Sequence, residues 1–131
     1  MILLNVDDDA EDREIFVAAI QEIDSSIKCL VASDGIEAQL LLADEITNSE
    51  PDYIFLDINM PKMDGITLLT ALKKNKRLNR IPVYMLSTTG NENEIASINA
   101  LGAKYIQKQS EFKKIVTMLS SILLPQHNNF T

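Results

Sequence analysis

Five short apolar segments alternate with five stretches of helical character, and this alternation limits the possible folds more than any other feature of the chain. The apolar segments cover residues 1–6, 27–32, 53–56, 82–86 and 104–107. Each has the length of a strand and is followed by turn-forming or polar residues. Strict alternation of strands and helices favours a parallel sheet with right-handed crossovers and helices on both faces. The sequence therefore predicts a doubly wound α/β fold.

Apolar residues at helical spacing mark the predicted helices, and turn-forming residues mark several of their ends. We expect Asn91 or Asn93 to begin the fourth helix and Gly102 to close it. Ser110 is predicted to cap the fifth helix. The apolar residues of the five helices fall within positions 15–23, 36–46, 66–72, 95–101 and 112–123. We therefore expect one domain over residues 1–124, followed by a short polar tail over residues 125–131.

The composition is that of a soluble globular protein and argues against several functional classes. Of 131 residues, 46% are hydrophobic and 24% are charged, which suits one domain with a buried core. The net charge of −7 argues against nucleic-acid binding, because phosphates would be repelled. No apolar run approaches the roughly 20 residues that span a bilayer. With a single cysteine, Cys29, and no signal-peptide pattern, we expect a cytoplasmic protein without membrane contacts.

Polar side chains follow four of the predicted strands at the point where each strand ends. Asp7 and Asp8 follow the first strand, Asp57 the third, Ser87 the fourth and Lys108 the fifth. The carboxyl ends of parallel strands share one edge of the sheet, where open α/β proteins bind their ligands. Carboxylates gathered there would repel one another unless a cation lies among them. Because all the available ligands are oxygens, the sequence predicts a Mg²⁺ site rather than a zinc or copper site.

The same residues suit phosphoryl transfer. A cation, the Lys108 ammonium and the Ser87 hydroxyl would stabilise the oxygens of a phosphoryl group, and Asp57 could attack it to form an aspartyl phosphate. Taken singly, each residue has a plainer explanation: acids that begin a helix, a turn-forming serine, or a solvated lysine at a strand end. Their coincidence at one sheet edge favours the functional interpretation.

With these residues in place, the sequence resembles the receiver domains of two-component response regulators from Ile2 to Leu124. The resemblance implies a flavodoxin-like fold with strand order 2-1-3-4-5. It also implies that a sensor histidine kinase or a phosphotransfer protein donates a phosphoryl group to Asp57. The motifs that carry the resemblance are Val6-Asp7-Asp8, the segment 32–38, Leu56-Asp57-Ile58-Asn59-Met60-Pro61 with Asp64-Gly65, Leu86-Ser87, Gly102-Ala103 and Lys108.

The resemblance further implies a magnesium site, which Mn²⁺ could also occupy. Asp8 and Asp57 would hold the ion through their side chains and Asn59 through its backbone carbonyl. Asp7 would act largely through water. The predicted cofactor is therefore Mg²⁺ bound at the phosphoacceptor.

Other positions correspond to the family's switch and to residues that set the lifetime of the phosphate. Ser87 and Lys108 would contact the phosphoryl oxygens, and Tyr105 falls at the aromatic switch position. Movement of Ser87 towards the phosphate would let Tyr105 rotate inward and alter the surface formed by the fourth helix, fifth strand and fifth helix. Asn59 and Thr89 occupy positions that tune dephosphorylation.

The sequence departs from the family pattern after the lysine. Most receivers place a cis proline there, whereas this chain has Gln109. A cis bond before a non-proline residue costs about 3 kcal/mol, so we expect a trans bond or a reshaped loop. The departure leaves open a degenerate receiver that binds partners without phosphorylation.

Two further alternatives fit less well. A phosphatase that forms an aspartyl phosphate needs a second acid two residues after the nucleophile, where this chain has Asn59. A flavin carrier needs a phosphate-binding loop after the first strand, where this chain has three acids. We therefore expect a stand-alone receiver that is not an enzyme beyond assisting its own phosphorylation and dephosphorylation. It would act on an unknown protein partner as a monomer or a phosphorylation-dependent homodimer.

Overall fold

One sheet of five parallel strands organises the protein, with strand order β2-β1-β3-β4-β5. The strands are β1 (Ile2–Val6), β2 (Lys28–Ala32), β3 (Tyr53–Asp57), β4 (Val83–Ser87) and β5 (Lys104–Gln107). The structure is a computed structural model that describes residues 1–43, 50–60 and 63–124. The predicted strand order and doubly wound fold are confirmed.

Helices cover both faces of the sheet. They are α1 (Ala10–Ile23), α2 (Gly35–Ala43), α3 (Gly65–Lys74), α4 (Glu92–Ala100) and α5 (Phe112–Leu123). Successive residues of a strand point to opposite faces, so neighbouring strand residues enter different cores. Leu3 and Phe55 pack with α1 and α5, whereas Leu4 and Leu56 pack with α2, α3 and α4. The two cores hold the strand ends in a fixed arrangement along one edge.

Short polar side chains cap three helices as their sequence positions suggest. Asp9, Asp64 and Asn91 each accept a hydrogen bond from the backbone N–H three residues further on, at the starts of α1, α3 and α4. Of the two starts considered for α4, Asn91 is the one adopted. Gly102 closes α4 through a backbone hydrogen bond from its N–H to the carbonyl of Asn99.

The predicted cap of α5 is wrong. Glu111, not Ser110, lies at the cap position, and its side chain accepts no capping hydrogen bond. The helix starts where its apolar face can pack, with Ile115 and Leu119 buried against the sheet, and tertiary packing outweighs the preference for a serine cap.

Two other expectations concern the ends of elements. Helix α2 is described as far as Ala43, and its predicted continuation to position 46 falls in residues 44–49, outside the described residues. The proposed tail, residues 125–131, also lies outside them. Within the described residues, every helix is too short or too polar to cross a membrane.

Candidate functional site

Three carboxylates meet at the carboxyl edge of the sheet. Strands β1 and β3 are neighbours with Val6 opposite Leu56, so the residues that follow these two come together. Asp7, Asp8 and Asp57 each place a carboxylate oxygen within 4.8 Å of the others. Asp7 and Asp57 are buried, while Asp8 is exposed, so the cluster opens to solvent on the Asp8 side. The predicted convergence of these acids is found in the structure.

Asp7 is held in place by its own backbone and by α1. Its backbone N–H donates to the carbonyl of Ala32 at 3.1 Å, and its carbonyl accepts from the Arg13 guanidinium at 2.7 Å. One carboxylate oxygen of Asp7 accepts from the backbone N–H of Asp9 at 3.0 Å. The other oxygen, Oδ2, accepts from the Lys108 ammonium at 2.8 Å.

Lys108 places a positive charge in direct contact with the carboxylates. Its ammonium nitrogen lies 2.8 Å from Asp7 Oδ2, 2.9 Å from Asp12 Oδ2 and 3.6 Å from Asp57 Oδ2. Burial disfavours the charged form, but the hydrogen bonds to Asp7 and Asp12 outweigh it and raise the pKa of Lys108 above its ordinary value. Lys108 therefore remains an ammonium and offsets part of the negative charge around it.

Sequence reasoning missed Asp12 as a member of this site. Asp12 lies in the first turn of α1, where an acid is explained by the helix dipole alone. Only the proximity of α1 to the loop after β5 brings its side chain to Lys108. The sequence contains many acids, and the spacing between them and Lys108 does not show which of them its ammonium reaches.

Burial dominates the electrostatics of Asp57. It raises the pKa of this carboxyl from 3.8 to about 6, against the lowering effect of Lys108; Asp7 and Asp8 raise it further. The backbone N–H of Asn59 donates a hydrogen bond that favours the charged form. Burial thus makes the ionised form of Asp57 less favourable than in water. A cation bound beside it would stabilise that form.

Gly65 lies close to the backbone of Asp57 and Ile58. The backbone N–H of Gly65 donates to the carbonyl of Ile58 at 2.9 Å. A Cβ at Gly65 would lie 2.5 Å from the Asp57 carbonyl oxygen, so only glycine fits at this position without displacement. The start of α3 is therefore packed against the backbone that carries Asp57.

Ser87, at the end of β4, contacts three other residues of the edge. Its buried hydroxyl lies 3.1 Å from the Thr89 hydroxyl and accepts a hydrogen bond from the Thr89 backbone N–H at 3.2 Å. Its carbonyl accepts from the Lys108 backbone N–H at 2.9 Å and from the Tyr105 hydroxyl at 3.2 Å. A Cβ at Gly90 would overlap the Tyr105 hydroxyl. Ser87, Thr89, Tyr105 and Lys108 are thus physically connected.

The peptide bond between Lys108 and Gln109 is trans, since no cis peptide bond occurs in the described ranges. Of the two expected alternatives, a trans bond or a reshaped loop, the trans bond is confirmed. The side chain amide of Gln109 donates to the carbonyl of Gln107 at 3.3 Å. With this loop conformation Lys108 still reaches the carboxylate cluster.

The cluster suits a hard divalent cation. Three carboxylates offer oxygen ligands, which Mg²⁺ and Mn²⁺ prefer, and Asp8 leaves one side open for the waters that Mg²⁺ retains. Lys108 alone offsets only part of the charge of the neighbouring acids. The residues present therefore fit such an ion.

Comparison with known proteins identifies the family. Residues 3–120 match the model of the response regulator receiver domain. The chain belongs to this family. The resemblance noted from the motifs is thereby confirmed, and the protein is a receiver domain of the two-component type.

Two curated relatives illustrate its setting. Response regulator Rcp1 of Synechocystis sp. (strain ATCC 27184 / PCC 6803 / Kazusa) is 30% identical over 125 residues, which cover 92% of this chain and 85% of Rcp1. The phosphate regulon regulator PhoB of Pseudomonas aeruginosa is 31% identical over 122 residues, but these cover only 51% of PhoB. This chain therefore matches most of the length of Rcp1 but only about half of the length of PhoB.

Solved structures agree with the fold. The phosphorylated cyanobacterial phytochrome response regulator RcpA superposes with a TM-score of 0.85 at 29% identity, covering 95% of this chain and 94% of RcpA. The Mn²⁺-bound form of Rcp1 gives a TM-score of 0.84 at 27% identity, covering 94% of each chain. The five-stranded receiver fold is therefore shared over nearly the whole chain.

Proposed function

We propose that Asp57 accepts a phosphoryl group from a sensor histidine kinase or a phosphotransfer protein, and that this modification activates the receiver. The observation that carries the proposal is the position of Asp57, at the end of β3, among Asp7, Asp8 and Lys108. A carboxylate can act as a nucleophile, and here it lies beside two acids that could hold a metal and an ammonium that could bind phosphoryl oxygens. Residues 1–124 form the receiver domain in this proposal, from β1 to the end of α5.

A divalent cation, Mg²⁺ with Mn²⁺ as a substitute, is the proposed cofactor. Asp8 and Asp57 would hold it through their carboxylates, Asn59 through its backbone carbonyl and Asp7 largely through water. The oxygen-rich cluster supports this assignment, and so does the existence of a Mn²⁺-bound form of the relative Rcp1. When bound, the metal neutralises negative charge on the transferring phosphoryl group.

The chain's own residues would carry out the rest of the transfer. A carboxylate oxygen of Asp57 forms a bond to phosphorus as the bond from phosphorus to the donor breaks, and the electron pair of that bond leaves with the donor. The Lys108 ammonium and the Ser87 hydroxyl donate hydrogen bonds to the phosphoryl oxygens. Because the pKa of Asp57 is about 6, its nucleophilic form dominates at neutral pH even before a cation binds.

The connections of Ser87 suggest how the modification is transmitted. The Ser87 hydroxyl accepts from the Thr89 backbone N–H, so its own hydrogen can turn to a phosphoryl oxygen and draw Ser87 towards the phosphate. The Ser87 carbonyl holds the Tyr105 hydroxyl, so a displaced Ser87 alters the position of Tyr105. The surface formed by α4, β5 and α5 would then change for a downstream protein partner. Thr89 and Asn59, beside these groups, would tune the lifetime of the phosphate.

Phosphoryl labelling tests the proposal directly. We expect incubation with Mg²⁺ and a small acyl phosphate to add one phosphoryl mass to the intact protein. Labelling should disappear in Asp57→Asn and when a chelator removes the metal. Glu22→Gln, which neutralises an exposed acid on α1 away from the cluster, should be labelled like the wild type. Labelling that persists in Asp57→Asn would place the acceptor elsewhere, and no labelling with any donor or kinase would favour a degenerate receiver.

A further inference from the structure

The Lys108 ammonium lies at different distances from the three acids around it. An ammonium has three hydrogens to donate. Lys108 directs it to Asp7 at 2.8 Å and to Asp12 at 2.9 Å, both within hydrogen-bond distance, whereas Asp57 lies further away at 3.6 Å. The ammonium therefore lies closer to Asp7, directly after β1, and to Asp12 on α1 than to the phosphoacceptor.

The side chain of Lys108, not its backbone, determines which acid it approaches. Its backbone N–H is bonded to the Ser87 carbonyl at 2.9 Å, which fixes the start of the loop after β5. Its side chain is flexible, with several rotatable bonds between the backbone and the charge. A rotation of that side chain is enough to exchange one carboxylate for another. Lys108 can thus respond to a change in the balance of charges around it.

Asp12 differs from the other two acids that surround the ammonium. Asp7 and Asp57 belong to the three-carboxylate cluster, where a cation or a phosphoryl group would change their charge balance. Asp12 lies outside that cluster, on the first turn of α1, and its backbone N–H is bonded to the cap Asp9 at 3.0 Å. Asp12 therefore retains its attraction for Lys108 when the cluster is filled.

We propose that Asp12 is a positioning residue that holds Lys108 away from Asp57 and competes with the phosphoryl group for its ammonium. The inference rests on the proposed phosphorylation of Asp57. In this proposal Asp12 acts through its contact with Lys108 and not on the transferring group itself. The Asp12 side chain is 41% exposed, so its ion pair with Lys108 is weak enough for a phosphoryl group to overcome.

The test compares Asp12→Asn with Glu11→Gln. Glu11 is the preceding acid in the same first turn, is exposed, and has the same charge. Removing either acid reduces the general repulsion of an anionic donor by a similar amount, but only Asp12 contacts Lys108. We expect Asp12→Asn to be labelled by a small acyl phosphate with Mg²⁺ about two- to fivefold faster than Glu11→Gln, the range that a partly exposed ion pair supports.

A double substitution separates the specific contact from a general effect. In a Lys108→Met background, Asp12→Asn and Glu11→Gln should have equal labelling rates, because the group through which Asp12 acts is absent. A second measurement follows the Lys108 side-chain nitrogen or its neighbouring carbon by NMR in metal-free protein. We expect that signal to shift in Asp12→Asn and to stay in place in Glu11→Gln.

The outcomes distinguish this inference from the proposed function. Equal labelling rates for the two single variants, with wild-type labelling intact, would overturn the role of Asp12 and leave Asp57 as the acceptor. A rate increase that persists without Lys108 would also overturn it. An unlabelled wild type would reject both proposals. An unchanged Lys108 signal in Asp12→Asn would show that Asp12 does not hold the ammonium in solution.

Discussion

The burial of Asp57 leads to a quantitative prediction about stability. Asparagine has nearly the shape of aspartate but no charge, so Asp57→Asn removes the cost of burying an ionised carboxylate in metal-free protein. The pKa of Asp57 is raised from 3.8 to about 6. Each pKa unit corresponds to about 1.4 kcal/mol, so we expect the variant to gain about 1 to 3 kcal/mol in free energy of unfolding at pH 8.

The sign of the pH dependence follows from proton binding. The folded protein holds the Asp57 proton more tightly than the unfolded chain does, so the free energy of unfolding falls as the pH rises from about 4 to about 6. Above that window the full cost is present, and below it the carboxyl is protonated in both states. The advantage of Asp57→Asn should therefore be large at pH 8 and close to zero at pH 4.

Urea unfolding in the presence of a chelator measures this difference at each pH. Glu22→Gln, which removes an exposed charge from α1, is the control and should change stability little at either pH. Adding Mg²⁺ should stabilise the wild type more than the variant, because only the wild type offers the complete ligand set. A gain of equal size at pH 4 and pH 8, or a loss at pH 8, would refute the reasoning from buried charge.

Two further substitutions test the packing around the site. Gly90 has φ of 68° and faces the Tyr105 hydroxyl, so Gly90→Ala should lower the free energy of unfolding by more than the about 1 to 2 kcal/mol that this backbone conformation costs. In a Tyr105→Phe background the loss should be smaller, because the hydroxyl is gone and only the tight contact of the new Cβ with the ring carbon at 3.0 Å remains; an equal loss in both backgrounds would contradict the steric overlap. Phe55 is fully buried and stacks on Tyr84 with ring centroids 5.3 Å apart, so Phe55→Ala should cost about 3 to 5 kcal/mol in urea unfolding. Phe112→Ala, at a 42% exposed position, is its control, and a similar loss there would show that the core does not depend on Phe55.

Much of the fold could be predicted because each signal is local. Apolar runs of strand length and helical spacing identify the elements, and caps such as Asp64 and Asn91 lie where short polar side chains suit a helix start. The start of α5 could not be predicted in this way. There the position of the apolar face against the sheet decides the first residue, and Ser110 is left outside the helix.

The sequence alone determined which residues reach the site edge: Asp7, Asp57, Ser87 and Lys108 each lie at the carboxyl end of a strand or directly after it, and parallel strands end on the same side. Only the tertiary structure decided which of these side chains touch. The Lys108 ammonium lies within hydrogen-bond distance of Asp7 and Asp12 and 3.6 Å from Asp57, because helix α1 and the loop after β5 meet there. Contacts between segments that are distant in the sequence depend on how the elements pack, and a local sequence pattern does not predict the distance between such segments.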